Sequence, residues 1–349
     1  MAKQAIFGKK NVMVIGGAGF IGSFLCDELV KEAKVICVDN FVSGREENID
    51  HLLGNPNFIF LKFDASKPFQ AGNFPELEKF KFEFQGVQEI YNLACPTIRK
   101  DFEKNIEASF LANSYLVKNS MNLAKKYNSK YLFGSTSAVY GEPLEGQTVF
   151  SEDYWGFVDF LGPRSCYNEG KRFAESMVKN LGDSWKLEYK IARIFNTYGP
   201  RMRLNSGRMI PDFVLAATEN KDLTIFGDGS EINSYCFVQD IVEGLIKFME
   251  YPEKGVLNFG NPETQTIKEI AEKIIGISNS SSRIINKEPL PFLQKPGMPD
   301  ITQIKEKLGW FPIIKLEEGL QKTLDDMLAH KILHYEGGER KVADFNGNQ

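Results

Sequence analysis

One segment constrains this chain more than any other: Asn11-Val12-Met13-Val14-Ile15, followed at once by Gly16-Gly17-Ala18-Gly19-Phe20-Ile21-Gly22. A short apolar run meets a glycine turn, and Phe20 to Val30 then reads as a helix. Strand, glycine turn and helix in that order predict a dinucleotide-binding unit. The first glycine permits the tight turn, the second lets backbone approach a pyrophosphate, and the third packs helix on strand. The pyrophosphate is expected at the helix N-terminus, where free N–H groups and the dipole favour an anion. Gly16, Gly19, Phe20, Ile21 and Gly22 are therefore the expected cofactor turn.

The next apolar run, Lys34 to Val38, ends in Asp39 and Asn40, and Asp39 lies seventeen residues beyond Gly22. A carboxylate there accepts from adenosine ribose hydroxyls and repels a 2′-phosphate, which favours NAD over NADP. Arg45 stands close by and bears on that choice. Asp64, after the strand Phe58 to Phe63, is a candidate for the adenine side, with a plain loop carboxylate as the alternative. Asn92-Leu93-Ala94 ends a further strand, so the backbone at Ala94 is expected to border the cofactor.

Tyr167 and Lys171 lie four apart and so on one helix face. A phenol ordinarily ionises near pH 10, and a nearby ammonium is expected to lower that value. Such a tyrosine can take a proton from a sugar hydroxyl and return it later. Lys130 to Gly134 reads as a buried strand running into Ser135-Thr136-Ser137, and Thr136 and Ser137 are both candidates to share the substrate oxygen with Tyr167.

The 349 residues are 42% hydrophobic and 25% charged, enough for a large core in one or two associated domains. A net charge of −4 and a pI near 5.7 give no basic field for nucleic acid or a membrane surface. No apolar run approaches the roughly 20 residues of a membrane span, and Met1 to Lys10 lacks a signal-peptide core. Five scattered cysteines without CxxC pairing read as reduced thiols, hence a cytoplasmic setting. His51, His330 and His334 show no metal spacing and are expected at the surface, so no metal is expected. Cys95 and Cys166 adjoin two motifs and are expected to be buried without chemistry.

Strand and helix patterns alternate to about residue 195, predicting an α/β fold with a Rossmann-type, doubly wound parallel sheet. Helices are expected over 101–126, 166–181, 209–219, 238–250, 266–276 and 316–329. Residues 1–195 are expected to bind the cofactor, 196–336 to form mainly a smaller α/β substrate domain, and 337–349 to be a loose tail.

These motifs resemble the extended short-chain dehydrogenase/reductase family of nucleotide-sugar enzymes, from about residue 11 to 330. The likeness adds Arg193-Ile194-Phe195-Asn196-Thr197-Tyr198-Gly199-Pro200-Arg201 to the segments above. Glu152 to Gly156, Gly162 to Tyr167, Lys295-Pro296 through Pro299-Asp300-Ile301, and Leu308-Gly309-Trp310 are most similar to its UDP-glucuronate decarboxylases. The resemblance implies a nucleotide-sugar substrate, a homodimer, and Asn196 and Arg208 on the diphosphate, with Thr97 and Asn233 as further substrate contacts and Ser135, Phe195 and Thr197 near the nicotinamide. Two positions depart from the decarboxylase pattern: Ala138 stands where that subfamily has Glu, and Asn233 where it has Arg. A methyl moves no proton, and an amide carries no fixed charge. The first expectation is therefore C4 oxidation of an NDP-sugar to a 4-keto intermediate, followed by epimerisation or release as the ketone. The alternative is a UDP-glucuronate decarboxylase with relocated assisting groups, and the second alternative a non-catalytic binder of NAD and nucleotide sugar.

Overall fold

The computed structural model describes residues 8–97, 103–144, 147–289 and 297–336, with backbone alone over 330–336. Its centre is a seven-stranded sheet built from β1 (Asn11–Ile15), β2 (Lys34–Asp39), β3 (Phe58–Lys62), β4 (Glu89–Asn92), β5 (Lys130–Thr136), β6 (Tyr189–Ile194) and β7 (Gly255–Phe259). The order is β7-β6-β5-β4-β1-β2-β3, and every pairing is parallel. The chain winds outward in both directions from the β1/β4 junction, and ligands in such sheets bind at the carboxyl ends beside that reversal.

Burial on both faces explains why these strands read as apolar runs. Along β1, Val12 and Val14 join one core and Met13 and Ile15 the other, the two-residue period of a strand covered on both sides. Helix α1 (Phe20–Glu32) lies on the first face with Leu25, Cys26 and Leu29 buried.

The expected helix over 101–126 is two helices, α2 (Ile106–Asn113) and α3 (Tyr115–Tyr127). The break falls at Ser114, whose hydroxyl donates to the Phe110 carbonyl at 2.6 Å. That bond competes with the helical ladder, which is how serine bends or ends a helix. The expected helix 166–181 is longer, α4 (Ser165–Trp185).

Beyond β6 come α5 (Met209–Thr218), α6 (Val238–Glu250), α7 (Ile267–Ile277) and α8 (Leu316–Glu336), with several two-stranded pairings. One of them sets Ile232–Ser234 antiparallel to Thr264–Thr266. This region also returns β7 to the edge of the main sheet beside β6. Trp310 is buried and donates its indole N–H to the Asp240 carbonyl at 2.9 Å. The Asp240 carboxylate accepts the amides of Ile313 and Ile314, which ties the approach to α8 onto α6. Lys295, Pro296, the segment 337–349 and the side chains of His330 and His334 lie outside the described residues.

Candidate active site

The glycine turn leaves β1 with no room for side chains. Gly16 has φ +82°, and a Cβ on it would stand 2.8 Å from the Ala94 backbone. A Cβ on Gly22 would meet the Gly16 carbonyl oxygen at 2.1 Å. The turn thus lies flat against α1 and leaves bare backbone facing the cavity. Gly16, Gly19, Phe20, Ile21 and Gly22 line the cavity with Asp39, Asn40, Asp64 and Ala94.

Asp39 ends β2 as expected. It is buried, and its two oxygens accept the amides of Ala18 at 3.1 Å and Phe41 at 2.8 Å. Burial raises its pKa, and those backbone donors oppose the shift. Arg45 is engaged with Asn48 Oδ1 and the Arg201 carbonyl, at 3.2 Å each. Asp64 lines the cavity while accepting Ser66 N and Oγ, so it closes its own loop as well. The residues present fit a dinucleotide, because bare backbone and a buried carboxylate stand where a pyrophosphate and a ribose would lie.

At the carboxyl end of β5 the structure distinguishes the two candidate hydroxyls. Thr136 is hydrogen-bonded to the Tyr167 phenol, and its oxygen also accepts the Ala138 amide at 3.2 Å. Ser137 opens the following turn and lines the cavity. Tyr167 and Lys171 project from one face of α4 into the same cavity, both buried. Lys171 Nζ donates to the Gly134 carbonyl at 2.7 Å and stands 4.6 Å from the Phe133 ring centre.

The expected lowering of the phenol's pKa is not what this arrangement gives. Burial pushes Tyr167 up, and the groups pulling it down are Thr136, Arg208 and Arg164. Burial likewise lowers the Lys171 ammonium. Proximity in sequence showed the lysine; the sign of the shift came from desolvation.

Ser135 lines the cavity, but its hydroxyl donates to Glu175 at 2.5 Å. Glu175 sits two turns beyond Tyr167 on α4 and pairs with Arg193 on β6 at 2.8 Å. That half-buried pair fastens α4 to the sheet. Phe195 is buried against Tyr140 and Phe150 and borders the cavity.

Thr97, Asn196, Arg208 and Asn233 all reach the cavity wall. Arg208 donates to the Thr97 carbonyl at 3.3 Å, and Asn233 Nδ2 donates to Glu231 Oε1 at 3.2 Å. Ala138 is also on the wall, where it presents a methyl. Cys95 borders the cavity and accepts from Asn113 Nδ2 at 3.4 Å, whereas Cys166 is buried on another side of α4. Sequence reasoning missed Arg164, Arg203 and Glu231 as wall residues. The motif-bearing segment Gly162 to Tyr167 contained Arg164, but nothing in its spacing marked that side chain.

The cavity measures about 1380 Å³, above the usual few hundred to one thousand Å³ of a single-ligand pocket. It has room for two ligands, and Tyr167 is on its wall. Among the described residues no cluster of His, Cys, Asp and Glu is placed to hold a metal ion. His51 is exposed and bonds Asp27 at 2.7 Å. No helix among the described residues is long and apolar enough to cross a membrane.

Residues 12–260 match the NAD dependent epimerase/dehydratase family. The chain belongs to that family. It is an NAD-dependent enzyme of the extended short-chain dehydrogenase/reductase type. It is 39% identical over 330 residues to UDP-glucuronic acid decarboxylase 1 of Arabidopsis thaliana, covering 94% of this chain and 72% of that one. With UDP-glucuronic acid decarboxylase 5 of the same plant the identity is 38% over 318 residues, covering 90% and 89%. Among solved structures, this epimerase/dehydratase fold superposes on the UDP-N-acetylglucosamine 4-epimerase of Methanobrevibacter ruminantium. The TM-score is 0.80 at 28% identity, covering 93% and 100% of the two chains. The UDP-glucuronic acid 4-epimerase of Bacillus cereus, solved with UDP-glucuronic acid and NAD, gives a TM-score of 0.76 at 26% identity, covering 92% and 99%.

Proposed function

We propose that this enzyme oxidises UDP-glucuronate at C4 and decarboxylates the resulting 4-keto sugar. The observation that carries the reading is the meeting of Tyr167, Thr136 and Lys171 in one cavity, in a chain 39% identical to a UDP-glucuronic acid decarboxylase over 94% of its length. That likeness puts decarboxylation, the alternative at the level of sequence, ahead of C4 epimerisation.

NAD, when bound, supplies the acceptor for the C4 hydrogen and returns it at the end of the cycle. Gly16 to Gly22 would hold its pyrophosphate and Asp39 its adenosine ribose. Tyr167 takes the C4 hydroxyl proton, and Thr136 shares the hydrogen bond to the same oxygen. Lys171 holds the end of β5 through Gly134. Once C4 is a ketone, the C6 carboxylate belongs to a β-keto acid. Its C5–C6 bond breaks, carbon dioxide leaves, and the electron pair passes into the C4 oxygen as an enolate. Tyr167 and Thr136 donate to that oxygen. Ala138 offers no proton, so C5 is reprotonated by another group or by solvent.

Ala138 and Asn233 support a second reading, C4 epimerisation or oxidation with the carbon skeleton kept, since neither reaction needs the two missing groups. Residues 196–336 would furnish most of the nucleotide-sugar side, through Asn196, Arg208 and Asn233. The exposed side chains of Ile106, Phe110, Tyr115 and Phe173 on α2 to α4 support a two-fold helical dimer. The five free thiols favour a cytoplasmic setting.

Mass spectrometry of the NAD-loaded protein with UDP-glucuronate tests the reading. A product lighter by carbon dioxide supports the decarboxylase. A product of equal mass and different retention replaces it with an epimerase, and one lighter by two hydrogens, with NADH formed, with a C4 dehydrogenase. No turnover of any UDP-, GDP-, dTDP- or CDP-sugar would leave a binding protein.

A further inference from the structure

Position 233 leaves a charge unaccounted for. Asn233 stands at the cavity wall with its amide donating to the Glu231 carboxylate, so it offers a bound carboxylate no cation. The place of that carboxylate follows from the chemistry. C4 oxidation puts the C4 hydroxyl within about 2.6–3.2 Å of the Tyr167 oxygen. The carboxyl carbon is two bonds from C4, so its oxygens fall a few bond lengths from the same phenol.

Two wall arginines act electrostatically on Tyr167, Arg208 and Arg164. Arg208 lies against the Thr97 carbonyl and is the expected diphosphate ligand. Arg164 immediately precedes α4, three residues before Tyr167, and its guanidinium carbon lies 5.8 Å from the phenol ring centre. Three residues is one helical turn, so the two side chains are neighbours on the cavity side. The position is electrostatically unusual. A cation at a helix N-terminus runs against the dipole. An anion lodged beside Arg164 would meet both the planar guanidinium fork and the helix terminus.

We propose that Arg164 recognises the C5 carboxylate of the sugar, the task that Asn233 does not perform in this chain. The inference rests on the UDP-glucuronate reading above. It makes Arg164 the residue that separates a uronic acid from the neutral hexose of the same nucleotide.

The test measures dissociation constants of the NAD-loaded enzyme for UDP-glucuronate, UDP-glucose and UDP. The variants are Arg164→Gln and Arg164→Lys. Loss of a charge-assisted pair weakens UDP-glucuronate by about tenfold or more in Arg164→Gln, while UDP-glucose and UDP change by less than about twofold. Arg164→Lys keeps the charge and recovers part of the loss, and it also covers the case in which the glutamine variant fails to fold. An equal loss for all three ligands in both variants would overturn the proposal, as would wild-type affinity for UDP-glucuronate in Arg164→Gln. Carbon dioxide release by the wild-type enzyme is read separately. If it is absent while Arg164→Gln still loses only UDP-glucuronate, the decarboxylase reading fails and carboxylate recognition stands. If it is present while Arg164→Gln binds normally, the reverse holds.

Discussion

Tyr167 is a buried phenol whose hydrogen-bond partner decides when it works. Burial holds it protonated beyond the usual range near 10, and Thr136 is one of the groups that bring it back. Accepting the C4 proton requires the ionised phenol, so turnover rises with pH through the Tyr167 pKa. Replacing Thr136 by Val removes a lowering contribution and should move that limb of the pH–rate profile upward. It should also slow turnover by about a hundredfold, the usual effect of deleting one such donor. A limb that stays in place would mean Thr136 does not set the phenol's pKa. Tyr167→Phe should cut kcat by about 10²–10⁴-fold while the purified protein still carries NAD. Bound NAD is read by absorbance after acid release, and its loss together with activity would point to a folding role instead.

At the scale of elements, the β1–α1 turn is a close fit of backbone against backbone. A methyl on Gly22 would collide with the Gly16 carbonyl oxygen, which is backbone and has no rotamer to yield. Gly22→Ala should therefore cost about 1–3 kcal/mol of stability and strip NAD from the purified protein. A thermal melt and the NAD content check it, and a variant that keeps its NAD would show that the turn can open. The adjoining strand β2 illustrates a local signal that survives folding intact. Its apolar run ends in a carboxylate, and the structure leaves that carboxylate buried at the carboxyl edge of the sheet. The α2–α3 break shows the opposite. A continuous helical pattern reads straight through Ser114, where the backbone leaves the helical region and the side chain bonds back to Phe110.

For the molecule as a whole, the tyrosines report how much aromatic polarity the two cores enclose. Tyr91, Tyr131, Tyr140, Tyr167 and Tyr198 are all raised by burial, Tyr131 and Tyr140 to about 12. Below about pH 10 these phenols are protonated in both folded and unfolded chains and leave stability unchanged. Above that, the unfolded chain ionises first, so stability falls as pH rises toward the folded values. Urea midpoints at neutral pH and near pH 11 should differ markedly, and equal midpoints would contradict the burial of these rings. The parallel sheet, the glycine turn, Asp39 and the Tyr167/Lys171 pair were legible in the sequence. Each is written in residues close together in the chain, as a two-residue period, a backbone that excludes Cβ, or a four-residue helical spacing. The bond between Thr136 and Tyr167, the upward shift of Tyr167, the Glu175–Arg193 pair beneath α4 and the arrival of Arg164 beside the phenol were decided by tertiary structure. Desolvation and charge–charge distance sum over groups from β4, β5, α4 and the segment before α5. No local pattern carries that sum, because it exists only once the chain has brought those elements to one cavity.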